Sequence, residues 1–214
     1  MSKYLVIVEG IADIIFFRDY FKFLYIDLEI VKEAKVTLTL KSETLEIVIL
    51  ESGGLTKLKF LKTRIQDDIK DKYKVFVIQD ADNEDKDYGG VKSRKQYLSD
   101  EKTKLEIDFE SFLFPNDSDD GDLETLLLQI VQEDKYNQFE NCHTGYIDCL
   151  EHFLKKKIIK DFRKEKNYIY TYLSLYEGHH VAKERDRVYD KTYWDFSSNA
   201  LIPLKKFFEE NIVN

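Results

Sequence analysis

The stretch YLVIVEG, Tyr4 to Gly10, is an unbroken apolar run rich in β-branched residues that stops at a carboxylate and a glycine. Such a run suits a strand covered on both faces, as in a parallel sheet. Directly after it Ile14, Phe17, Phe21 and Leu24 recur at helical spacing, with Asp13, Arg18, Asp19 and Lys22 off the stripe. The reading is strand, glycine turn, helix.

Working outward, Leu28 to Leu50 alternates in VTLTL and then becomes LEIVIL, which predicts a strand or hairpin followed by a second buried strand. Gly53 and Gly54 permit a tight turn into LTKLKFLKTRIQDDI, where Leu55, Leu58, Leu61 and Ile65 mark one helical face. A third strand, KVFVIQ, leads into the acidic stretch QDADNED. Alternating strands and helices predict an α/β fold with a mostly parallel sheet flanked by helices, and right-handed crossovers bring the three strand ends to one edge. Glu9, the Gly53-Gly54 turn and Asp80 then share the edge at which open α/β sheets bind ligands.

Beyond Gly90 a polar helix or loop runs to Lys104, and Leu105, Ile107 and Phe109 alternate like a strand that Pro115 closes. NDSDDGD is a loop by composition, and Asp122 is placed to cap a helix from Leu123 to about Lys135. Further helices are expected from Tyr146 to about Lys164, from Tyr168 to Tyr176 and from about Pro203 to Glu210, with a polar loop through EGHHVAKERD. The economical organisation is one domain over 1–214, a core of about 1–115 carrying a helical C-terminal portion of about 116–214.

Hydrophobic residues at 43% and aromatics at 14% describe a folded chain, and 214 residues suffice for one good core. A net charge of −8 argues against a surface that binds polyanions everywhere, so a nucleic-acid role requires a local basic patch or metal ions. The first apolar run is too short for a signal peptide, no stretch reaches the length of a membrane span, and the expectation is a cytoplasmic protein without a membrane partner. Cys142 and Cys149 fit a reducing compartment.

Asp80 and Asp82 stand two apart at a strand end, where side chains at i and i+2 point to one side. Two carboxylates and several waters suit Mg²⁺, and Glu9 adds a third acid whose proximity would raise a pKa unless a cation or proton intervened. The competing reading of any single D-x-D is a solvated acidic turn, and Glu84 and Asp85 are read that way.

IVEGIAD, followed by a parallel-sheet half-domain and VIQDADNE, resembles the Toprim domain, which is marked by Glu-Gly after the first strand and D-x-D after a later one. Toprim domains occur in topoisomerases, bacterial primases, a recombination-repair protein and the overcoming-lysogenization-defect (OLD) nucleases. Within that group VEG, SGG, QDAD, LFPND, GDLETLLL, YWDFSS and PLKKFF look most like a small bacterial stand-alone Toprim family of unknown function. The resemblance implies a Mg²⁺ or Mn²⁺ site acting on phosphodiesters of nucleic acid. It casts Glu9 as metal ligand or general acid/base, Asp80 and Asp82 as metal ligands, Glu124 as a fourth acid and Lys166 as a charge-stabilising cation, with Lys183 a weaker choice. The alternative, favoured by the few basic residues near the acids and the net negative charge, is a non-catalytic metal-binding Toprim module working with an ATPase encoded elsewhere, since the chain has no G-x-x-x-x-G-K-[ST] loop of its own. A phosphatase with Asp80 as nucleophile is a third reading, disfavoured because its D-x-D would follow the first strand.

Other clusters read as structural. Cys142, His143, Cys149 and His152 could in number hold zinc, but Cys149 falls beside Leu150 and Phe153 on an apolar helical face where a free cysteine is ordinary core. His179 and His180 read as surface histidines, and Tyr193, Trp194 and Phe196 as anchors of the C-terminal helix rather than base-stacking groups.

Overall fold

The computed structural model describes residues 1–160, 162–176, 178 and 184–212, apart from the side chain of Gln138. The elements run β1 (Ser2–Val8), α1 (Ile11–Leu24), β2 (Glu29–Ala34), β3 (Thr37–Lys41), β4 (Leu45–Glu51), a 3-10 segment (Leu55–Leu61) continuing into α2 (Lys62–Lys70), and β5 (Lys74–Asp80). They continue as α3 (Val91–Leu105), β6 (Glu110–Phe114), α4 (Leu123–Gln129), α5 (Glu133–Lys155), α6 (Lys164–Tyr176) and α7 (Ile202–Asn211). The six strands form one sheet in the order β2-β3-β4-β1-β5-β6. β1 pairs in parallel with β4 and β5, and β5 with β6, whereas β2, β3 and β4 form an antiparallel flank. The expected α/β architecture with a helical C-terminal portion is therefore the one observed.

Strand alternation divides the core in two. Tyr4, Val6, Val8, Phe76, Ile78, Phe112 and Phe114 face one layer, where Phe16, Phe17 and Phe21 of α1 and Phe208 of α7 are fully buried. Leu5, Ile7, Val75, Val77 and Leu113 face the other, packing on Leu58, Ile65 and Leu98. Each large side chain withdrawn from water in this way stabilises the fold by about 1.5–3 kcal/mol. Trp194 is fully buried against Tyr172 and Tyr189, and Phe196 packs on Phe16 and Tyr20, so these aromatics are core residues that tie their segment to α6 and α1 rather than to the last helix.

Several boundaries differ from expectation. Leu105 ends α3, and Glu106 caps it in the left-handed conformation (φ 54°), so the strand begins only at Glu110 although Ile107 and Phe109 are buried. The helix that begins at Leu123 stops at Gln129, because the Ile130 carbonyl accepts the Asp195 N–H (2.6 Å) and the Gln132 N–H donates to the Tyr193 carbonyl (3.0 Å). The following helix α5 starts at Glu133, well before Tyr146, and ends at Lys155. On α5 the apolar face is Phe139, His143 and Ile147, and Cys149 is exposed rather than core.

Candidate functional site

The carboxyl ends of β1 and β5 lie side by side because the two strands are parallel neighbours, with Ile7 opposite Val77. The Asp80 N–H donates to Glu9 Oε1 at 3.3 Å, joining the two acidic stretches directly. One oxygen of Asp80, Oδ1, accepts the Leu123 N–H at the start of α4 (3.0 Å). A helix N-terminus is a favourable place for that negative charge. Asp122 caps α4 as expected, accepting from the Thr125 N–H at 2.9 Å. The first turn of α4 also brings Glu124, buried, to the same edge. Glu124 pairs with Lys166 of α6 at 3.3 Å.

Asp82 does not share a strand face with Asp80. β5 ends at Asp80, and Asp82 adopts the left-handed conformation (φ 57°) while exchanging backbone hydrogen bonds with Gly121. That bridge requires glycine at 121, where φ is 143° and a Cβ would press on Thr125. The simple alternation argument fails here because the strand has already stopped. Asp82 turns instead toward cations: Arg94 Nη2 at 2.8 Å, Lys86, and Arg163 at 3.9 Å. Glu84 and Asp85 are exposed, as read from sequence.

Electrostatically the two aspartates part company. Burial first, then Asp13, Glu9, Asp122 and Glu124, hold the Asp80 carboxyl well above its ordinary value. Burial likewise raises Glu9, against the opposing pull of Arg94, and raises Glu124, against Lys166. Asp13, which accepts the Gly10 N–H at 2.8 Å, is pushed up to about 8, mainly by burial and also by Glu9 and Glu124. Burial tends to lower Lys166, but the adjoining Glu124 carboxylate leaves it raised. Glu9, Asp13, Asp80 and Glu124 are thus a set of hard oxygen donors that burial, and for Asp80 and Asp13 the neighbouring acids as well, hold toward the protonated form. Among the described residues no group of three or more His, Cys, Asp or Glu side chains is placed to hold a metal ion. The donor chemistry fits Mg²⁺ or Mn²⁺ held by few carboxylates and several waters, which is how Mg²⁺ is ordinarily bound. Outside the acids lies a cleft of about 650 Å³ whose lining includes Asp82, Lys86, Asp122, Arg163 and Lys164.

Glu9, Asp80, Glu124 and Lys166 are therefore brought together, Asp82 stands at their rim, and Lys183 lies outside the described residues. Four participants were not singled out from sequence. Arg94 is fully buried and has Nη1 3.7 Å from Glu9, so it ties the first acidic stretch to Asp82. Its signal was legible in retrospect, since Arg94, Leu98, Glu101 and Leu105 are the buried residues of α3 at helical spacing. Asp13 sits off the apolar stripe but in the first turn, where it closes onto Gly10. Arg163 and Lys86 carry no sequence signal at all.

The zinc reading has no geometry behind it. His143 is buried against Phe139 and Tyr168, while Cys142 and Cys149 are exposed. His179 and His180 lie outside the described residues. No helix among the described residues is long and apolar enough to cross a membrane.

A mixed α/β sheet with acidic side chains gathered at the carboxyl ends of its central strands defines the class of protein. The chain belongs to the family described as "Protein of unknown function (DUF3226)", whose model matches residues 3–212. No curated protein matches it. Among solved structures it is similar to the hypothetical protein PH0156 from Pyrococcus horikoshii OT3, with a TM-score of 0.52 and 13% identity over 96% of this chain and 99% of that one. At that identity the likeness concerns the fold alone.

Proposed function

We propose that this protein is a divalent-metal-dependent, Toprim-like enzyme acting on phosphodiester bonds, an OLD-like nuclease of DNA repair or defence. The observation that carries the reading is the hydrogen bond from the Asp80 N–H to Glu9 Oε1, with Asp80 Oδ1 bound in turn to the Leu123 N–H. Those contacts draw the stretches IVEG, QDAD and GDLETLLL to one strand edge. Glu9, Asp80 and Glu124 would hold Mg²⁺ or Mn²⁺, with Asp82 at the rim. The cation, when bound, supplies positive charge for the phosphoryl oxygens as negative charge develops on them. Lys166, fixed by Glu124, would place a second positive charge beside the same oxygens. Glu9 would also transfer a proton, Arg94 keeping it oriented.

The test is incubation of purified protein with Mn²⁺ and plasmid or single-stranded DNA. Nicking is expected, and the Asp80→Ala, Asp82→Ala double variant should abolish it; cleavage that persists in the double variant overturns the assignment. One observation favours a second reading, a metal-binding module that does no chemistry and works with a separate ATPase. Arg94 and Lys86 already neutralise Asp82, as a structural acid would be neutralised. Calorimetric titration with Mn²⁺ separates the two: binding without cleavage supports the module, and absence of binding counts against both.

A further inference from the structure

The acids explain where chemistry would occur but not how a chain of net charge −8 retains a polyanion. One segment runs against that overall charge. Between Gly53 and Gln66 the sequence GGLTKLKFLKTRIQ contains Lys57, Lys59, Lys62 and Arg64 and no carboxylate. The segment adjoins the acidic edge, since the Gly53 N–H donates to the carbonyl of Glu9 at 3.2 Å and the Ser52 N–H to that of Val8 at 2.8 Å. Its inner side is fixed: Leu58 and Ile65 are fully buried, and the Leu55 carbonyl accepts from Gln79 and Tyr97.

The outer side is left to solvent in an unusual combination. Phe60 is 70% exposed, with Lys57 Nζ 5.4 Å and Lys59 Nζ 5.2 Å from its ring centre. Arg64 pairs with Asp68 at 2.6 Å, but among the described residues Lys57, Lys59 and Lys62 have no carboxylate within ion-pair reach. An exposed aromatic ring with two ammonium groups over it that no carboxylate engages is an arrangement on which an unpaired base can stack as those ammonium groups turn to the neighbouring phosphates. A duplex, whose bases are already stacked, has no use for the ring.

We propose that the strip Lys57, Lys59, Phe60 and Lys62 is a docking surface for single-stranded nucleic acid, feeding the strand toward the acidic edge at Glu9 and Asp80. The proposal rests on the reading of that edge as a phosphodiester site. Binding to the strip needs no metal, because its charges are the protein's own, and this makes it separable from catalysis.

The experiment measures fluorescence anisotropy of a labelled oligo(dT) with full-length protein in EDTA at low salt. The expected result is binding to oligo(dT) that is tighter than to a duplex of equal length and weakens as salt rises. Lys57→Glu with Lys59→Glu should weaken it at least tenfold. Phe60→Ala should weaken it by about fivefold or more, the loss of one stacked base. Both variants alter exposed side chains and should melt with the wild type. The proposal is overturned if wild-type protein does not bind oligo(dT), if either variant binds as tightly as wild type, or if duplex or poly-glutamate binds equally well. Strip-dependent binding without Mn²⁺-dependent cleavage would strike the nuclease reading and leave the strip standing. Cleavage with binding indifferent to the strip would do the reverse.

Discussion

Asp80 and Asp82 are two residues apart and occupy opposite electrostatic settings. Asp80 sits inward among Glu9, Asp13, Asp122 and Glu124, which together with burial raise its carboxyl. Asp82 sits outward against Arg94, Lys86 and Arg163. The inner region crowds carboxyls away from water and gains from an added cation or proton, whereas the outer region is balanced by side chains. Adjacent acids of one motif therefore differ in what they can do: the inner one is suited to binding and the outer one to holding the loop in place.

Removing the cation that anchors the outer region should have the largest effect. Arg94→Ala deletes a fully buried guanidinium and leaves Asp82 without its closest buried partner, and loss of one member of such a pair costs about 3–5 kcal/mol, readable by denaturant unfolding. A loss under about 1 kcal/mol would show that Lys86 and Arg163 balance Asp82 unaided.

The sharpest version of the comparison is a pair of neutralised aspartates. In metal-free protein at pH 8, Asp80→Asn should raise stability by about 1 kcal/mol, because the amide oxygen can still accept from Leu123 and the cost of a buried carboxyl among other acids is removed. Asp82→Asn should lower it by a similar amount, since it strands a buried arginine. Shifts of the same sign in both would erase the distinction.

A further effect should appear in the pH profile. The Asp13 carboxyl is raised from 3.8 to about 8, so the folded state holds its proton more tightly than the unfolded chain. That contribution is complete below the unfolded value and is lost as pH rises toward 8. Metal-free protein should accordingly lose stability between pH 5 and pH 8, and Asp13→Asn, which keeps an oxygen acceptor for Gly10, should flatten the slope. Thermal melts across that range are the measurement. The smallest effect belongs far from either region: Cys142→Ser with Cys149→Ser should change stability by less than about 0.5 kcal/mol and leave zinc content unaltered, both side chains being exposed.

The strands and the edge were legible because buried parallel strands write themselves as continuous apolar runs. YLVIV, LEIVIL and KVFVIQ each became a strand within two residues of expectation, and Glu9 and Asp80 followed as their terminal acids. What escaped was set by contacts distant in sequence. The break after Gln129 depends on Tyr193 and Asp195, which no local pattern announces. Arg94 reads as surface until its helix is known to bury that face. The left-handed turn at Asp82 is fixed by Gly121 across the loop, so spacing alone misjudged which way its carboxylate points.

The Leu123 N–H that holds Asp80 comes from 43 positions further along the chain, and Glu9 from 71 positions earlier. Contacts so separated close slowly, because loop entropy is lost before they form. The acidic edge is therefore a late product of folding. A nascent chain that has completed β5 already carries Glu9 and Asp80, yet lacks the Leu123 N–H that holds the Asp80 carboxylate until α4 has been made. Whatever the site binds, it can do so only once synthesis has passed the middle of the protein.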